Sequence, residues 1–169
     1  MVTLYNVVSS DGFIARPDGR EDFIPDDLWG KFLDICRKYG TLVIGRKTYE
    51  TIQRYDKKLL IPFESLPIKK IIVTSNREFR PKPGYVIAHS PEDAIISSEN
   101  ILVSSGPTLN DFLLQKGLVD KIIFHEVPIA IGNGIKAFNS ERISLLPVKN
   151  PDIFSGVKVK EYRVGVVGQ

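Results

Sequence analysis

Leu42-Val43-Ile44-Gly45-Arg46-Lys47-Thr48-Tyr49-Glu50 changes character at its glycine. Thr41 to Ile44 is apolar and reads as a short strand, while Arg46 to Gln53 has a helical pattern. Glycine permits the tight turn between them, and a helix start presents unpaired N–H groups. Two cations and a hydroxyl stand at that start, so the stretch suits a phosphate; a plain turn with a solvated basic face would read the same way. Two more stretches repeat the design. Ile101-Leu102-Val103-Ser104-Ser105-Gly106-Pro107-Thr108-Leu109 runs from strand through small residues into a helix. Ile72-Val73-Thr74-Ser75-Asn76-Arg77 ends a strand with hydroxyls and a cation. One such junction means little, because a capped helix or a turn-rich loop explains it. Three in one sheet suggest an extended polyanion such as a dinucleotide bearing a ribose phosphate, since α/β sheets bind ligands at the carboxyl ends of their strands.

Working outward, Val2 to Ser9 is a β-branched-rich strand that stops at Ser10-Asp11-Gly12, and Arg16 to Ile24 is a loop. A helix is expected from Asp26, with Leu28, Phe32, Ile35, Cys36 and Tyr39 on one face and Gly40 closing it. Asp56 to Pro67 reads as irregular. Lys70 to Thr74 and Tyr85 to Ala88 are strands, and Ser90-Pro91-Glu92-Asp93 starts a brief helix through Ile96. Thr108 to Lys116 is a helix, Lys121 to Val127 a strand, and Ile143 to Val148 and Val157 to Val167 a late hairpin. The pattern predicts an α/β sheet, parallel in part, with an antiparallel edge.

The 169 residues suit one domain, and 43% hydrophobic with 25% charged residues excludes a disordered chain or a disulfide scaffold. A lone cysteine, Cys36, and no basic residue before the first apolar stretch point to a reducing, cytoplasmic setting. No apolar run is long enough for a membrane helix. A net charge of +3 suits a small anionic ligand; the dispersed basic residues lack the interleaved aromatics of a nucleic-acid platform. His89, His125 and Cys36 have no metal-ligand spacing, so no metal is expected. There is no nucleophile elbow.

In order, Ser9-Ser10-Asp11-Gly12-Phe13-Ile14-Ala15, Gly45 to Glu50, Val73-Thr74-Ser75, Ser105 to Leu109, Gly117-Leu118-Val119-Asp120, and Pro128 with Gly132 and Gly134 before Phe138 resemble the dihydrofolate reductase-like superfamily. The likeness is greatest to the branch holding the riboflavin-biosynthesis reductase domain. It implies one domain with a mixed central sheet of about eight strands, flanking helices and an antiparallel C-terminal hairpin. It implies NADPH as cofactor. Gly45, Arg46, Lys47 and Thr48 would then face its phosphates, and Thr74, Ser75 and Arg77 would take the 2′-phosphate. Ser105, Gly106, Pro107, Thr108 and Leu109 would hold the pyrophosphate, and Ile14 and Ala15 would lie near the nicotinamide. It also implies a homodimer, with the apolar run Val164 to Val167 as a pairing edge.

Within that resemblance Asp27 aligns with a carboxylate that binds or protonates a substrate ring nitrogen; partial burial would raise its pKa. The first turn of a helix prefers the same residue, and Asp26 is the candidate cap. His125, mid-strand, is a second candidate proton relay if it faces a cleft. Two substrates compete: the ribosylaminopyrimidine phosphate of riboflavin synthesis, for which Arg16 and Arg20 are the available cations, and a dihydrofolate-like pterin. Asp27 favours the pterin. Ser104, standing where the riboflavin enzymes carry a substrate-binding glutamate, disfavours the riboflavin intermediate. A non-catalytic nucleotide-binding module on the same fold is the rival function.

Overall fold

Hydrogen bonding along the chain follows the expected alternation in a computed structural model that describes residues 1–166. The elements are β1 (Val2–Val8), β2 (Phe13–Ala15), α1 (Asp27–Tyr39), β3 (Thr41–Gly45), α2 (Arg46–Gln53), α3 (Lys57–Glu64), β4 (Lys69–Val73) and β5 (Tyr85–Ala88), then α4 (Pro91–Ile95), β6 (Ile101–Val103), α5 (Pro107–Gln115), β7 (Lys121–Glu126), β8 (Ile135–Lys136), β9 (Ile143–Pro147), β10 (Asp152–Phe154) and β11 (Val157–Val166). They fall into two compact units, Asp26–Ser104 and the flanking Met1–Pro25 with Ser105 onward.

In the unit Asp26–Ser104, β3 pairs in parallel with β6 and β4, and β4 in parallel with β5. Leu42, Val43, Ile44, Ile71, Ile72, Ile101, Leu102 and Val103 are all nearly inaccessible to solvent, as expected for short parallel strands covered on both faces. Helix α1 buries Leu28, Phe32, Leu33 and Cys36, and ends at Gly40 in the left-handed conformation (φ 77°), where glycine escapes the Cβ penalty. Ile35 and Tyr39 lie at the border of that face, half-buried, and Leu33 takes the inner place.

Two expectations need correction here. Asp56 to Pro67 is not irregular, because α3 occupies most of it, with Pro62 inside. Pro62 sits late in an eight-residue helix, so its missing N–H costs one bond, while Leu59 and Leu60 donate to the Asp56 carbonyl and Phe63 is fully buried. Asp26 occupies the cap position but its side chain caps nothing; its carboxylate lies 4.0 Å from Lys58 at the surface.

In the other unit β1 pairs in parallel with β7, and β11 pairs antiparallel with β7, β9 and β10. This is the expected mixed sheet with an antiparallel C-terminal hairpin. The three-residue β2, the two-residue β8 and β10 escape sequence reading because they are too short to show a period. Residue Val167, the expected end of β11 and of the pairing edge, lies outside the described residues. No helix among those residues is long and apolar enough to cross a membrane.

Candidate functional site

At the carboxyl end of β3, Gly45 is extended (φ −79°, ψ 164°) and opens α2 with no side-chain cap. Arg46 forms an exposed pair with Glu50 on the next turn, at 3.2 Å; such a pair is worth little and is easily exchanged for a ligand. Lys47 is exposed and Thr48 half-buried. At the end of β4, Thr74 is buried and its Oγ1 accepts the Asn76 N–H at 3.1 Å, folding the chain so that Ser75 and Arg77 are exposed.

The Thr74 carbonyl accepts a bond from Nδ1 of His89, at 3.0 Å, at the end of β5. His89 is therefore half-buried against β4. A cavity of about 280 Å³ along β4 and β5 is lined by Lys69, Ile71, Arg77, Ala88, His89 and Asp93, among others.

The other unit contains the second glycine-led start. Gly106 is extended (φ −87°, ψ −175°), Pro107 is the first residue of α5, and no side chain caps the helix. Proline lacks only an N–H that the helix could not use. Ser105 is buried, and its carbonyl accepts from Asn6 Nδ2 at 2.9 Å and Asn110 Nδ2 at 3.2 Å. Asn110 also donates to the Ala137 carbonyl at 2.8 Å and to Asn6 Oδ1 at 3.2 Å. This buried amide pair fixes the turn, and sequence reading passed it over. Its signal was present: an asparagine inside a β-branched strand, and another beside Leu109, Leu113 and Leu114 on the inner face of α5.

Ile14 and Ala15 lie in β2, which pairs with β8. Gly134 is obligatory there, because a Cβ would stand 2.2 Å from the Ala15 carbonyl oxygen. Asp11 ties the same loops together. It accepts from the Ser9 hydroxyl at 2.6 Å and from the N–H groups of Gly132 and Ile131 at 2.8 and 3.2 Å, and the Ser9 bond leads in holding its carboxyl below the usual range.

The two proton-donor candidates stand in opposite settings. Asp27 begins α1 and is exposed, which is the setting of an acidic first-turn residue and differs from the partial burial expected of an acid. His125 is buried. It is 4% exposed, Nδ1 meets the Tyr5 hydroxyl at 2.9 Å, and its ring packs edge-on to Tyr5 and Phe154. Arg16 and Arg20 are each paired, with Asp22 and Asp18. Trp29 donates to the Leu59 carbonyl and packs on Phe32, Tyr55 and Phe63, as a core residue does. Cys36 is buried, which pushes its thiol up to about 12. No three of His, Cys, Asp and Glu gather as metal ligands among the described residues.

Residues 94–159 match the RibD C-terminal domain family. An uncharacterized protein of Bacillus subtilis (strain 168), YwjB, is 24% identical over 160 aligned positions, covering 80% of this chain and 81% of its own. Among solved structures, a protein of Shewanella sp. PV-4 named for riboflavin biosynthesis superposes with TM-score 0.78 at 17% identity, over 97% of this chain and 98% of that one. The deaminase/5-amino-6-(5-phosphoribosylamino)uracil reductase of Thermotoga maritima gives 0.70 at 18%, over 96% of this chain and 56% of the larger protein. Dihydrofolate reductase of Enterococcus faecalis, solved with NADP(H), gives 0.65 at 20%, over 97% of this chain and 94% of the enzyme. The fold is thus dihydrofolate reductase-like, and the resemblance to its riboflavin-reductase branch holds.

Proposed function

We propose that the chain is an NADPH-dependent reductase of a small heteroaromatic substrate, of the ribosylaminopyrimidine or pterin type. The observation that carries this is the pair of helices, α2 and α5, that each open on an extended glycine, whereas α1 and α3 open on aspartates and α4 on Ser90. The N-terminus of a helix, with its aligned N–H groups and dipole, favours a phosphate, and glycine lets the backbone approach it closely. In the unit Asp26–Ser104, Gly45, Arg46, Lys47 and Thr48 would take phosphate oxygens, and Thr74, Ser75 and Arg77 the ribose 2′-phosphate. In the other unit Ser105 to Leu109 would hold the pyrophosphate on a turn fixed by Asn6 and Asn110, and Ile14 and Ala15 would lie against the nicotinamide. Bound NADPH supplies the hydride. The riboflavin type is favoured by the family match; the paired state of Arg16 and Arg20 means that a substrate phosphate would have to displace Asp22 or Asp18.

The test is calorimetric titration with NADPH and NADH, followed by NADPH oxidation with the ribosylaminopyrimidine phosphate and with dihydrofolate. Tighter NADPH binding with turnover of either substrate is expected. The second reading, a non-catalytic nucleotide module, draws on the location of Asp27 at the surface and His125 in the core; binding without turnover of any pyrimidine or pterin would favour it. We also propose a homodimer through the C-terminal strands, on the strength of the exposed Leu146, Val148 and Ile153. Sedimentation at micromolar concentration showing only a 19.0 kDa species would overturn that.

A further inference from the structure

Asn133 is the one asparagine of the chain that precedes a glycine. Glycine has no side chain to shield its amide nitrogen, so such a pair is able to cyclise. The fold aligns this pair for it. The Gly134 N–H points back at the preceding carboxamide, with its nitrogen 2.9 Å from Asn133 Oδ1. That bond brings the adjoining carboxamide carbon to roughly 3.5 Å from the nitrogen, the range of a near-attack geometry. Asn133 is exposed, so water and hydroxide reach it. The comparable pairs are held out of line. The amide nitrogens of Gly12 and Gly19, which follow Asp11 and Asp18, donate to the Ser9 and Arg16 carbonyls at 3.0 and 2.9 Å. That of Ser140, which follows Asn139, donates to Asp111 at 2.8 Å.

We propose that Asn133-Gly134 is a self-modification site whose isoaspartyl product unclasps the loop 131–136 from β2. Hydroxide takes the Gly134 amide proton. The nitrogen attacks the Asn133 carboxamide carbon, the bond from that carbon to the side-chain nitrogen breaks, and ammonia leaves with a proton from water. A five-membered succinimide remains. Water opens it at either carbonyl, and opening at the main-chain carbonyl leaves isoaspartate, with the chain running through Cβ. The net exchange is ammonia out and water in, with no redox change. The main chain gains one carbon, about 1.5 Å of length, and there is no slack to take it up. Gly134 lies so close to β2 that a Cβ there would collide with the Ala15 carbonyl. On the N-terminal side Asp11 holds Ile131 and Gly132, and on the C-terminal side Ile135 and Lys136 pair with Ala15 and Phe13. The added length therefore breaks one clasp or the other. This chemistry needs no cofactor; only its bearing on Ile14 and Ala15 as the nicotinamide side of the site rests on the function proposed above.

Trypsin isolates the site for a test. Asn133 is the one asparagine of the fragment 122–136, and Asn139 the one of the fragment 137–142. Native protein is aged at mildly basic pH beside the same protein in urea, and both fragments are followed by mass and by chromatographic separation of isoaspartate from aspartate. Asn133 should convert in the native protein at least within about twofold of its rate in urea. Asn139, whose next nitrogen is held by Asp111, should be slowed at least about tenfold by folding. Hydrogen exchange of residues 9–16 and 131–136 should quicken roughly tenfold in the isoaspartyl form, while aged Asn133→Gln should keep the exchange of fresh protein. Asn133 that converts in urea but stays intact in the native protein overturns the proposal. Isoaspartyl protein that exchanges like fresh protein overturns it as well. Neither readout involves NADPH, so failure here leaves the reductase reading standing, and failure of NADPH to bind leaves this site standing.

Discussion

Two groups of charged side chains flank β4 and β5, and they are built on opposite plans. At the amino ends of these strands a cavity of about 400 Å³ is lined by Glu64, Lys70, Lys82 and Tyr85, and there each polar group has a fixed partner. Glu64 accepts from the Tyr85 hydroxyl at 2.9 Å, Lys82 at 3.1 Å and Gln53 at 3.3 Å. Lys70 is 5% exposed and its ammonium meets the Leu66 and Glu64 carbonyls at the end of α3, at 3.0 and 3.4 Å. Burial pushes Glu64 up, but the bonds from Tyr85, Lys82 and Gln53 outweigh it and hold the carboxyl below the usual range. Burial likewise lowers Lys70, against the attraction of Glu64. In the other cavity Lys69 and Arg77 have no such partners. Paired charges at buried ends hold helix α3 to the strands; unpaired ones are available to a ligand. Position on the strand decides which: Lys69 and Lys70 are neighbours in sequence, and strand alternation sends one outward and the other into the core.

The contrast can be broken most severely at Glu64. Glu64→Ala leaves three donors without their acceptor and should cost about 2–3 kcal/mol of stability, read as a lower denaturant midpoint, with NADPH affinity unchanged. An equal loss of NADPH affinity would mean that the two clusters are one functional unit. Lys70→Met, which keeps the volume but strips two helix-end carbonyls of their donor, should cost somewhat less, about 1–2 kcal/mol.

A pH measurement sharpens the same point. Because the folded Glu64 carboxyl lies below its unfolded value of about 4.3, its contribution is complete above that pH and disappears as pH falls through the folded value. Stability profiles of Glu64→Gln should therefore be flatter than wild type on the acid side only. Arg77→Ala and Lys69→Ala should stay within about 0.5 kcal/mol of wild-type stability, though Arg77→Ala should weaken NADPH. A larger loss would show that these residues serve structure after all. The smallest effect concerns Cys36, whose thiol feels the Lys70 charge. Buried and pushed up to about 12, it should resist alkylation in the native protein. Labelling should quicken in Lys70→Met through local opening and remain slow in Arg77→Ala.

Legibility followed the range of the cause. The junctions at Gly45 and Gly106 were readable because strand, glycine and helix start are consecutive in the chain, and both open helices as expected. The helix α3 was hidden by Pro62 and is retained because Phe63 is buried. His89 gives no local signal of its place, since its partner, the Thr74 carbonyl, lies 15 positions away. Asp27 and His125 were chosen by residue type and by alignment with a family pattern. Neither criterion contains exposure, and in the fold Asp27 is exposed while His125 is buried against Tyr5.

By itself, then, the sequence determined the alternation of strands and helices, the two glycine-led helix starts and the mixed character of the fold, because periodicity, turn chemistry and capping act within a few residues. Only the tertiary structure decided which charges are spent and which are available. Asn6 and Asn110 meet across 104 positions to fix the Ser105 turn, Asp11 reaches 121 positions to hold Gly132, and Glu64 gathers Gln53, Lys82 and Tyr85. Whether a polar side chain is a structural bond or a binding group depends on what else is within about 3 Å of it in space, and no local pattern in a single chain contains that distance.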